Sequence, residues 1–187
     1  MILVRVTLLF VAAAMPAQAH GTLPGGGGFL SGAMHPLVAI EHLLLLLSVG
    51  LILGRDGLRR SLLALGLGVG IGLWFGPAEA SQQILLLGVT LGLGALLALQ
   101  VMLAEFIYAA VLLVAGLSVG LDTDMPALNA GAAALGVGAG VFLITMNAYA
   151  LGAALTNTRL AVTLRVAGAW MLAVSMMVLA LNLQGPT

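Results

Sequence analysis

Apolar residues run through this chain in blocks of roughly 20, separated by short groups of charged, Gly or Pro residues, and nowhere alternate with polar ones over a strand's length. Blocks of that length match the hydrocarbon thickness of a bilayer crossed by a helix, whereas the strands of a membrane barrel alternate apolar and polar positions. The pattern predicts six helical spans, at about residues 35–53, 60–76, 82–100, 104–121, 129–152 and 160–182. The stretch 82–121 is broken only by Gln100 and Glu105; at about twice a span's length it reads as a helical hairpin.

The first residues follow a different pattern. Arg5 precedes a short apolar core from Val6 to Met15, and Ala17-Gln18-Ala19 gives a small-x-small cleavage site. Residues 1–19 therefore read as a secretory signal peptide rather than a span, with an uncleaved first helix as the alternative. Residues 20–34 form a Gly-rich lead-in with the flexibility of such sequences, and residues 35–187 make a single membrane domain. The expected fold is all-α, a polytopic bundle of six transmembrane helices after a cleaved signal peptide.

Composition agrees. The 187 residues are 62% hydrophobic and only 6% charged, with a mean hydropathy of +1.22, against about 25% charged in a soluble domain. There is no Cys, which excludes disulfides, thiolate metal sites and thiol catalysis. The net charge is zero, all six cations are Arg, and no basic cluster suits nucleic acid. The Gly-x-Gly runs lack the strand–turn–helix setting of a nucleotide site. The 26 Gly suit close helix packing through small-xxx-small pairs such as Gly66 with Gly70, or Gly136 with Gly140.

Charge also orients the chain. Arg55, Asp56, Arg59 and Arg60 lie in the loop after the first span, Arg159 and Arg165 flank the start of the sixth, and the acids Asp122 and Asp124 lie in the fourth loop. With both termini outside, every Arg of the mature chain lies on the cytoplasmic side, as the positive-inside tendency requires, and the fourth loop faces out. A bacterial inner membrane with a periplasmic N-terminus is the setting these features imply.

Chemistry concentrates at the start of the first span, in His35-Pro36-Leu-Val-Ala-Ile-Glu41-His42. Two of the chain's three His and a carboxylate stand where an ionisable group costs several kcal/mol unless paired, hydrated or ligated. Pro36 suits a helix's first turn. Seven residues are two turns, so His35 and His42 share a face, with Glu41 about 100° from His42. Imidazole and carboxylate together suit a divalent nickel, cobalt or zinc ion. Two turns are too far for both His to chelate one ion unaided, so a second helix must contribute or the two serve successive positions. The plainer alternative is a solvated His35 and a Glu41–His42 pair that holds helices together. His20, exposed by cleavage after Ala19, offers an amine and an imidazole to one ion.

These residues carry a resemblance. The first-span motif, a signal peptide with a His near the mature start, six spans and Glu105 opening the fourth resemble the HupE/UreJ family of bacterial hydrogenase and urease accessory membrane proteins, regarded as nickel or cobalt permeases. Two positions of the motif depart: the family usually has Asp where this chain has Glu41, and Gly where it has Ala39. In the fifth span the family runs roughly His-Gly-x-Ala-His-Gly-x-Glu, while this chain has Asn147, Leu151 and Ala154 in place of the two His and the Glu. The resemblance implies a metal ion as cargo and no nucleotide, with urease or hydrogenase maturation machinery as partners. His35, Glu41, His42 and His20 form its metal site, and Glu105, Asn147 and Tyr149 a weakened inner path. No catalytic activity is expected, since the outer cluster has too few close ligands for a three-ligand catalytic zinc. A non-transporting subunit or scaffold that keeps the fold is the alternative reading.

Overall fold

The computed structural model describes residues 28–57, 61–76, 82–124, 129–156 and 162–183, which form seven helices and, among these residues, no strand. They are α1 (Gly28–Val38), α2 (Ile40–Asp56), α3 (Ser61–Phe75), α4 (Gln82–Leu99), α5 (Glu105–Leu121), α6 (Ala130–Thr156) and α7 (Val162–Leu183). The signal peptide at 1–19 and His20 lie outside the described residues.

From α3 onward the helices coincide with the expected spans to within four residues. Two of them, α6 and α7, are long and apolar enough to cross a membrane, and the α1–α2 pair becomes a third if counted as one broken span. Ser61–Phe75, Gln83–Leu99 and Glu105–Leu121 are apolar but shorter. The expected hairpin breaks where anticipated. Gln100 takes a left-handed conformation (φ 59°), and its side-chain amide donates to the Leu97 carbonyl, ending α4.

The first span departs from expectation. Helix already begins at Gly28, inside the supposed lead-in, so Pro36 lies within α1 rather than in a helix's first turn. Two residues beyond Pro36 the helix stops. Ala39 is extended (φ −74°, ψ 107°) and α2 leaves at 77° to α1. Pro36 has no N–H to give, which removes one helical hydrogen bond and weakens the helix around it. The break is tied on both sides: the Ala39 N–H donates to the His35 carbonyl, and the Leu43 N–H to that of Ala39.

Helix α2 is the centre of the bundle. Residues Ser48–Gly54 are all buried, the mark of a helix covered on every side. It packs against α6, α4 and α1, while α3 pairs with α5 and α4 with α7. Glycine sets the closest contacts. A Cβ on Gly116 would collide with the Leu65 carbonyl, and one on Gly68 with that of Leu113, so α3 and α5 meet backbone to backbone. Helix α1 meets α6 in the same way, where Cβ atoms on Gly136 and Gly140 would strike the carbonyls of Phe29 and Ala33. Gly136 and Gly140 thus act as their spacing suggests. Gly66 and Gly70 do not: both face open space.

Candidate functional site

The bend at Ala39 sets the geometry of the first-span motif. It turns His35, on α1, back toward His42 on α2, so that the imidazole centroids lie 5.2 Å apart with the rings tilted by 56°. Seven residues of straight helix would separate them by about 10 Å along the axis. His42 is fully buried and His35 half-buried. His35 Nε2 and both ring nitrogens of His42 are buried without a hydrogen-bond partner, and these are three of the six such side-chain atoms among the described residues. A neutral imidazole carries one donor and one acceptor, and burying them unmatched costs about 1–3 kcal/mol per group. The hydroxyls of Ser61, Thr145 and Ser175, on α3, α6 and α7, are the other three.

Glu41, expected beside His42, is engaged elsewhere. Its Oε1 accepts from Gln83 Nε2 at 2.5 Å, tying the start of α2 to the start of α4. The carboxylate nearest His42 comes instead from Asp122, just past the end of α5, with Oδ2 3.1 Å from His42 Nε2. That separation is within ion-pair range, but the atoms are not aligned for a hydrogen bond. Asp122, Asp124 and Glu41 all lie within electrostatic reach of His35. Among the described residues no three His, Asp or Glu side chains are placed to hold one ion as they stand. The nucleus of the site is therefore His35, His42 and Asp122, contributed by α1, α2 and α5. Asp122 was visible in the sequence only as an acid in an outward loop; nothing in its spacing tied it to His42, 80 residues away.

The residues of the expected inner path lie on two helices, α5 and α6. Glu105 is exposed in the first turn of α5, where the helix dipole favours an acid. Asn147 is exposed on α6, its amide donating to Leu143 of its own helix. Tyr149 is half-buried, at the place where Gly50 and Gly54 of α2 meet α6. A different polar group occupies that end of the bundle. Arg55 and Asp56, assigned to a loop by sequence, are the last residues of α2, and their side chains are 6% and 1% exposed. Arg55 donates twice to Asp56, at 2.5 and 2.8 Å, and also to the carbonyls of Leu96 and Val101. Tyr108 donates to Asp56 at 2.8 Å and accepts from the Leu103 N–H.

A model of the HupE / UreJ protein family matches residues 8–179. The chain belongs to the HupE/UreJ family. Its apolar helices and this membership make it a membrane protein of the metal-handling accessory kind. No curated protein and no solved structure gives a significant match. Within the HupE/UreJ pattern, Asn147, Leu151 and Ala154 stand where the resemblance places two His and a Glu, and all three are exposed on one face of α6. Their replacement leaves the His35–His42–Asp122 cluster untouched.

Proposed function

We propose that this HupE/UreJ chain is a permease or metal-handling accessory protein that takes a divalent nickel or cobalt ion as its cargo. The observation that carries this reading is the gathering of three unpartnered imidazole nitrogens beside a carboxylate at one end of an apolar bundle. Imidazole with carboxylate suits borderline divalent ions, and an ion would satisfy the nitrogens that no protein group does.

In this reading the chain crosses a bacterial inner membrane six times, with the His35 end facing the periplasm. The spans formed by α3 to α5 are short for a core of about 30 Å, as 15 helical residues of α3 rise only about 22 Å. Local thinning of the bilayer accommodates such a mismatch. After signal cleavage His20 offers a first, mobile ligand, and His35 and His42 receive the ion between helices. Urease or hydrogenase maturation machinery would take it up inside. The chain acts on the ion's position and not on any covalent bond, so no enzymatic step is proposed.

Uptake of radioactive nickel and cobalt into cells expressing the chain, beside His42→Ala at equal membrane level, tests this. Uptake that the variant lowers at least about tenfold, the loss that even removal of a ligand's supporting group causes at metal sites, supports a permease with this cluster on its path. A second reading is a non-transporting subunit or scaffold, favoured by the outward, ligand-free face of Asn147, Leu151 and Ala154. Well-expressed wild type that accumulates neither ion selects that reading.

A further inference from the structure

We propose that Asp122, and not Glu41, supplies the carboxylate of the metal seat, as the neighbouring ligand of His42 Nε2. The assignment rests on the metal-handling reading and specifies its ligand set.

Three observations converge on it. The first is the separation itself. Nitrogen and oxygen ligands each about 2.1 Å from one ion, at an angle of 90–110°, lie about 3.0–3.4 Å from each other. His42 Nε2 and Asp122 Oδ2 are 3.1 Å apart and not aligned as hydrogen-bond donor and acceptor. A structural ion pair at that distance would normally align, because a buried, fully enclosed imidazole gains most from a linear bond. The second is position. Asp122 follows the last turn of α5, its own N–H turned back to the carbonyls of Ser118 and Gly120. That is the negative end of the helix dipole, which disfavours a lone carboxylate and favours a cation beside it. The side chain is 35% exposed against 0% for His42, so the seat opens outward on the Asp122 side.

The third is the occupation of Glu41. The longer acid in this chain reaches Gln83 and accepts its amide at 2.5 Å, which fixes α2 to α4. Glu41 therefore positions helix α2, and Asp122 faces the ion. His35, with its unpartnered Nε2 and its ring 5.2 Å from that of His42, is the nearest candidate for a third donor.

Cobalt(II) binding to the purified full-length protein in detergent tests the assignment, read both as affinity and as the visible ligand-field spectrum, which reports the donor set. Asp122→Asn is expected to weaken binding about tenfold or more, the loss that even a supporting group's removal produces, and to change the spectrum, while Glu41→Gln weakens binding less and leaves the spectrum unchanged. Asp122→His, which replaces one donor by another, should bind cobalt with a spectrum shifted toward nitrogen ligation; this outcome holds the proposal even if Asp122→Asn folds poorly. A folded Asp122→Asn that binds as wild type overturns the assignment and leaves Asp122 a structural ion-pair partner. Loss of binding in Glu41→Gln with retention in Asp122→Asn overturns it in favour of the sequence motif. Wild type that binds neither cobalt nor nickel removes the metal reading, and this assignment with it.

Discussion

Arg55 and Asp56 are neighbours in sequence and their side chains are enclosed at the end of α2, an arrangement that an apolar surround tolerates only with every hydrogen-bonding group engaged. Here the guanidinium is shared among the Asp56 carboxylate and the carbonyls of Leu96 and Val101 at the break after α4, and Tyr108 completes the carboxylate. Asp56→Asn leaves that cation without its counter-charge and is expected to lower stability by about 3–5 kcal/mol, as removal of one partner of a buried pair does. Tyr108→Phe removes one hydrogen bond to a charged acceptor and should cost about 1.5–3 kcal/mol. Unfolding of the two variants in mixed detergent ranks them, and a smaller loss for Asp56→Asn than for Tyr108→Phe would mean that the Tyr108 hydrogen bond outweighs the ion pair. At this scale the sequence showed the types of residue and not their partners. His35, Glu41 and His42 stood out because polar groups are rare in the chain. Asp122 and Arg55 looked like ordinary loop charges because burial depends on how helix ends meet, which no local pattern encodes.

The helices themselves were largely legible, since an apolar run bounded by charges or Pro has few alternatives at this composition. The hairpin break at Gln100 was readable for that reason. The break at Ala39 was not. Pro36 is compatible both with a helix start and with a helix about to end, and only the packing of α1 on α6 decides between them. The glycines divide in the same way. Spacing alone nominated Gly66 with Gly70 and Gly136 with Gly140 equally, yet only the second pair faces a neighbour. Gly116→Val drives two methyl groups toward the backbone of α3, which has no flexible side chain to yield, and is expected to destabilise by about 1–3 kcal/mol or more. Gly66→Ala meets nothing and should be neutral or gain up to about 1 kcal/mol from helix propensity. Thermal unfolding of the purified variants separates the two cases, and equal losses would show that the α3–α5 contact is looser than this geometry requires.

For the molecule as a whole, the two polar groups sit at opposite ends: His42 and Asp122 at the start of α2 and the end of α5, Asp56 and Tyr108 at the end of α2 and the start of α5. The native chain has no Cys, so single-cysteine variants report orientation cleanly. Asp124→Cys should react with a membrane-impermeant maleimide in intact cells, and Val101→Cys only after permeabilisation; the reverse pattern would invert the proposed topology. The 77° bend carries one further consequence. Its two arms, α1 and α2, are both seated on α6 through contacts with no room for a Cβ, at Gly136 and Gly140 for one and at Gly50, Gly54 and Gly152 for the other. Two members joined at an angle and braced by a third form a truss, which resists opening or closing at the joint. The spacing of the imidazoles is thus preset by the scaffold, and under the proposed metal reading such a seat would select by size: calcium, whose oxygen ligands stand at about 2.3–2.6 Å, needs a wider frame than one cut for bonds of about 2.1 Å.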